Sequence, residues 1–199
     1  MPTRGLILRV IPYSDNLRII RCLTDKAGLQ SFGVRASKNK RSSGLVQTGT
    51  FIEFEIPSRP SKLPTLSDYR IDPTMNQLVH LPHQSALWFF VLEITSKSAA
   101  EGLHIPGLRE TIDRYYNLLC AQQAADDPIV PLLAISNTLG IMDPISLNLQ
   151  PEIGRTVQKL GVAVSEFRPD LEETQFTVLL KQFQTHFSIT RLDSIDILF

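Results

Sequence analysis

Two cysteines, one tryptophan and no net charge leave this 199-residue chain short of the usual carriers of chemistry. A pair of cysteines supplies neither a four-cysteine zinc site nor a disulfide framework. Cys22 and Cys120 each stand in an apolar string, IIRCLT and YNLLCAQ, and read as buried thiols of a reducing cytosol. No apolar run reaches the roughly 18 residues of a membrane-spanning helix. The opening MPTRGLILRVIPYSD is broken by Arg9 and Pro12 and reads as too short for a secretory signal, so a cytoplasmic location is expected. GxGxxG, GxxxxGK[ST], GxSxG and HExxH are all missing. His80 and His83 are spaced like helical metal ligands, but Pro82 lies between them and no Cys or carboxylate cluster joins them. The neighbouring carboxylates Asp126-Asp127 and Glu172-Glu173 would diverge by about 100° on a helix and suit capping better than a shared substrate. No enzyme, metal or cofactor is expected from these residues.

The zero net charge conceals a division. Residues 1–72 hold 12 Lys/Arg against 6 Asp/Glu, a net +6; residues 73–199 hold 8 against 14, a net −6. Such asymmetry suggests two domains with different partners, 1–72 basic and 73–199 acidic. The first reads as β. GLILRVIPY, LRIIRCLTD, LQSFGVR, TFIEFEI and LPTLSDYRI are short β-branched and aromatic runs separated by turn residues. Within TFIEFEI, Phe51, Glu53 and Glu55 alternate with Ile52, Phe54 and Ile56, and neither face is wholly polar, so a strand covered on both sides is expected. Five strands in this length suit a small closed or partly open barrel.

After Pro73 the period changes to helical. Residues 82–101 predict a helix with Leu87, Phe90, Val91 and Ile94 on one face and Trp88 beside it. A second is expected over 106–125. A third has Asp127 as N-cap and Pro128 as first residue, and ends at Gly140; a last one runs from Glu172 to His186. The predicted class is α+β: a small β-barrel followed by an all-helical domain.

One stretch carries most of the functional signal. Gly28 to Arg41, GLQSFGVRASKNKR, is an apolar strand that runs into Arg35, Lys38, Lys40 and Arg41. Such a loop builds no core, but it can face a polyanion, of which nucleic acid is the commonest large example. Arg18, Arg21 and Lys26 precede it, and Phe32 and Tyr13 are candidate stacking residues, although strand aromatics are more often core. The competing readings are a solvated loop without a partner, and a barrel that binds protein with DNA contact incidental.

The ordered residues resemble a known family. Gly5-Leu6-Ile7-Leu8, Tyr13-Ser14-Asp15, Leu17 to Thr24, Gly28-Leu29-Gln30-Ser31 and Val34-Arg35 with its Lys/Arg/Ser loop resemble the N-terminal domain of RecO, the bacterial recombination mediator family. Ser85 to Glu101, Leu139-Gly140 with Pro144, and His186 followed by Leu192-Asp193-Ser194 and Ile197-Leu198 resemble later elements of that family. The resemblance implies an N-terminal OB-fold and a helical C-terminal domain. It implies binding of single- and double-stranded DNA, annealing of complementary strands, and work with RecR, and often RecF, to load RecA on DNA coated by single-strand-binding protein (SSB). Arg18, Arg21, Lys26, Arg35, Lys38, Lys40 and Arg41 are the expected DNA contacts. The acidic, Phe-ending SSB tail is expected on the helical domain, where it needs an apolar pocket and a cation; Lys97, Arg109 and Arg114 are the candidates. Many members carry a four-cysteine zinc module after the LG..P element; residues 145–167 here hold no cysteine, so a zinc-free member is expected. The chain's own end, Asp193 to Phe199, is acidic and apolar; it is expected to pack as core, the alternative being that it docks on a partner.

Overall fold

The computed structural model describes residues 2–35, 46–56, 62–75, 82–122, 128–141 and 173–195. Strand β1 (Thr3–Ser14) forms a hairpin with β2 (Leu17–Thr24) across the two-residue turn Asp15-Asn16, a pair suited to tight hairpins. β3 (Gly28–Arg35) extends the sheet antiparallel to β2. The turn between them is held by Thr24, whose hydroxyl donates to the Gly28 carbonyl at 2.9 Å and accepts the Ala27 N–H at 2.9 Å. Gly28 has φ +67°, and a Cβ there would lie 2.1 Å from the Leu103 carbonyl oxygen, so glycine is required both for the turn and for close approach of another segment. That segment pairs along β3: Leu29 bridges Glu101, and the Leu29 carbonyl accepts the Gly102 N–H at 2.7 Å.

β4 (Phe51–Phe54) pairs antiparallel with β1, β5 (Thr65–Leu66) parallel with β3, and β6 (Tyr69–Ile71) antiparallel with β4. The run expected to form one strand over LPTLSDYRI is therefore two, divided at Ser67-Asp68, and among the described residues the sheet has six strands in the order β5-β3-β2-β1-β4-β6. Strands β5 and β6 stand at opposite edges although two residues link them, so the sheet must curl. Phe32 on β3 and Phe54 on β4 meet edge to face at 5.1 Å across two intervening strands. Between them lie Ile7, Ile20, Cys22, Val34, Val46, Ile52 and Leu66, all buried. Burying each large apolar side chain contributes about 1.5–3 kcal/mol. Gly5 leaves room for this interior: a Cβ there would lie 2.3 Å from Cys22 Sγ. The ladder stays open between β5 and β6 among the described residues, so the sheet is OB-like and is not closed into a barrel. Of TFIEFEI, expected to be covered on both sides, Phe51, Ile52 and Phe54 are buried and Glu53 half-buried, but the strand ends at Phe54 and Glu55 and Ile56 are exposed.

Among the described residues four helices follow: α1 (Pro82–Ser98), α2 (Leu108–Cys120), α3 (Ile129–Thr138) and α4 (Glu173–His186). Helix α1 is buried nearly all round, at Leu87, Trp88, Phe90, Val91, Leu92 and Ile94, rather than on the single face expected. Trp88 packs on Tyr116 of α2 with ring centroids 4.9 Å apart. Helix α3 starts one residue later than expected, with Pro128 at the N-cap; Asp127 lies outside the described residues. Phe176, Leu179 and Phe183 form the buried stripe of α4. The chain divides into two compact units, residues 1–79 with 98–104, and 80–97 with 105–199. Among the described residues no helix is long and apolar enough to cross a membrane, and no group of three or more His, Cys, Asp or Glu side chains converges.

Candidate nucleic-acid interface

The register of the first hairpin sets the cations. Ser14 pairs with Leu17, but an irregularity before it shifts the ladder so that Arg9 stands opposite Arg21. Arg21 in turn pairs with Ser31 on β3. Directly opposed residues share a face with Cβ atoms about 4.5–5.5 Å apart, and like charges so placed destabilise a sheet. Arg9 is exposed and has no ion-pair partner among the described residues. Two residues further along β1, Ile11 is opposite Ile19, and at the end of the hairpin Arg35 is opposite Leu17. Tyr13, in the irregular stretch of β1, is 68 % exposed. The arm thus offers cations and an exposed aromatic ring, the two components that single strands are gripped by.

The expected DNA contacts do not all gather here. Arg18 is three residues from Arg21 and so belongs to the opposite face; it is half-buried and opposite Pro12 and Val34. Its charge acts on Tyr69, whose phenol burial pushes above its ordinary value while Arg18 pulls it down. Lys26 sits in the β2–β3 turn, roughly 25 Å along the strand from Arg18, and donates to the Pro2 carbonyl at 2.9 Å. Lys38, Lys40 and Arg41 lie outside the described residues. Of the two candidate stacking residues, Phe32 is core and Tyr13 is exposed. Arg9 was not anticipated.

A groove of about 980 Å³ opens where the ladder fails to close. Arg35 and Arg70 line it together with Glu53, Glu55 and Asp68, and Phe54, Leu66 and Tyr69 contribute its apolar part. Arg70 stands opposite Glu53, and Glu53 opposite Arg4, whose guanidinium donates to Asp72 at 2.6 Å.

Two of the three helical-unit candidates already serve the fold. Lys97 pairs with Glu93 at 2.7 Å and donates to the Arg191 carbonyl; Arg109 is buried and pairs with Asp113 at 2.7 Å. Arg114 is exposed. Glu93 also accepts the backbone N–H groups of Asp193 and Ser194, at 2.9 and 2.8 Å, and the Ser194 hydroxyl. Burial raises the Glu93 carboxyl, but these hydrogen bonds and the Lys97 one outweigh it and hold the group below its ordinary value.

These features define an α+β protein whose OB-like sheet carries the exposed Arg9 and the half-buried Arg21 on its first hairpin. Residues 1–73 match the family model for the Recombination protein O N terminal domain, in agreement with the ordered sequence resemblance to the RecO family. The chain is similar to the DNA repair protein RecO of Leuconostoc mesenteroides, 28% identical over 155 residues, which cover 75% of this chain and 57% of the relative. It is also similar to the DNA repair protein RecO of Bacteroides fragilis, 28% identical over 103 residues, which cover 50% of this chain and 43% of the relative. The chain's match thus spans about half the length of these curated relatives.

Proposed function

We propose that this chain is a non-enzymatic DNA-binding and strand-annealing mediator of recombinational repair. It binds single- and double-stranded DNA through its basic β unit, residues 1–72 by sequence, and meets protein partners through residues 73–199. The observation that carries the reading is Arg9 facing Arg21 on the hairpin that also exposes Tyr13, with Arg35 leading into the basic loop. Two cations at opposed positions on adjoining strands offer a phosphate backbone two contacts at one place. Lys38, Lys40 and Arg41 continue the track, with Arg18 and Lys26 as flanking contacts. The partners fitting this role are RecR, RecF, RecA and the SSB tail. Arg114, the exposed member of its candidate set, is the group we assign to the tail carboxylate, ahead of Lys97 and Arg109.

Annealing of complementary oligonucleotides tests the reading. The protein should accelerate duplex formation, and the triple variant Arg9→Ala, Arg21→Ala, Arg35→Ala should lose most of that acceleration. A parent protein that binds no DNA at low salt would refute the proposal and favour a barrel that engages protein alone.

A further inference from the structure

The groove at the open seam of the sheet contains a combination that phosphate tracking does not require. Arg35 and Arg70 share it with three carboxylates, those of Glu55 and Asp68, both exposed, and of half-buried Glu53. A surface that only follows a backbone gains nothing from acidic side chains, which repel phosphate. A nucleotide differs from its phosphate in having a base edge, and amino-bearing bases present N–H donors there. Cytosine offers N4–H₂ and adenine N6–H₂, whereas thymine offers the O4 acceptor and a methyl group. Carboxylates accept from the first two and repel the third. The size of the groove suits one or two nucleotides, since small-ligand sites run to roughly 300–1,000 Å³. Its place on the chain supports the same occupant: Arg35 is at once a groove residue and the last residue of β3, from which the Lys38–Arg41 cations continue.

We propose that this groove is a base-edge subsite for single-stranded DNA, in which Arg35 and Arg70 take phosphates while Asp68 and Glu55 accept hydrogen bonds from the exocyclic amino groups of cytosine or adenine. The inference rests on the DNA-binding reading above and adds to it a base preference against thymine. A groove lined by two arginines and three carboxylates would also suit a peptide of mixed charge. The Lys/Arg-rich sequence that follows Arg35 favours the nucleotide.

The test is fluorescence anisotropy with labelled oligo-dC and oligo-dT of equal length, at one fixed salt concentration and neutral pH. One carboxylate–amino hydrogen bond lies at the lower end of base discrimination, so oligo-dC should bind about fivefold or more tightly. The double variant Glu55→Gln, Asp68→Asn removes two exposed charges and no core contact. It should bring the two affinities together while oligo-dT binding is kept or strengthened, because lost repulsion favours phosphate. Equal binding of both oligonucleotides by the parent, or a preference that survives in the double variant, overturns the subsite and leaves DNA binding itself intact. A double variant that binds both oligonucleotides just as the parent does places the groove off the DNA path and returns it to a protein partner. Failure of the parent to bind either oligonucleotide at low salt removes the underlying reading instead.

Discussion

Arg9 shows how one residue can oppose fold and function at once. It stands opposite Arg21 in the hairpin register, and Thr suits a strand position better than Arg. Replacing Arg9 with Thr, a good strand former, should therefore stabilise the protein by about 0.2–1 kcal/mol, the scale of a cross-strand pair. The same change should weaken DNA binding. Thermal melts and an oligonucleotide titration on one preparation check both signs. A variant that loses stability and keeps its affinity would show that Arg9 is structural. The position could not be read from the sequence because it depends on an irregularity. Counting back from the Asp15-Asn16 turn with regular pairing would put Arg9 opposite Cys22, on the interior face. The extra residue near Tyr13 moves it opposite Arg21 and turns it outward.

At the scale of elements, alternation was readable and closure was not. The β-branched runs of β1 to β4 and the Pro/Gly punctuation were enough to locate the strands and the change to helices, since those signals are local. Whether LPTLSDYRI makes one strand or two depends on where β3 and β4 offer edges, and that is a tertiary matter. The same applies to Lys97 and Arg109, which look available in a sequence and are tied to Glu93 and Asp113 in the fold. Glu93 itself fastens the segment around Leu192 and Ser194, both buried, to α1. This agrees with a packed closing segment as far as Ile195; Ile197 to Phe199 lie outside the described residues. The Glu93 carboxyl titrates below its ordinary value, with burial opposing and four hydrogen bonds prevailing. A depressed carboxylate contributes stability above its unfolded pKa of about 4.3 and loses it as pH falls through the lower folded value. Glu93→Gln should therefore cost about 1–3 kcal/mol at pH 7, the penalty for buried donors left poorly paired. The gap between parent and variant should shrink as the pH falls below about 4. Melting curves across that range decide the matter, and a pH-independent gap would mean that the latch is not electrostatic.

For the whole molecule, a net charge of zero and a pI near 6.9 would argue against a nucleic-acid protein if charge were spread evenly. The division into +6 and −6 makes the sum misleading, because the Debye length is about 8 Å at physiological salt and phosphates respond to the nearest cations. The salt dependence of binding separates local contacts from total charge. Each phosphate contact on a single strand contributes about 0.7 to the slope of log K against log[salt]. Changing Arg35, Lys38, Lys40 and Arg41 together to Ala should lower that slope by up to about 2.8 if all four touch phosphates. Changing Arg155, Lys159, Arg168 and Lys181 to Ala removes the same charge from the acidic half of the chain. That control should leave the slope as it was. Equal effects of the two quadruple variants would mean that total charge governs binding and that the basic loop holds no privileged place. A flattened slope in the first alone assigns the phosphate track to the loop that follows β3.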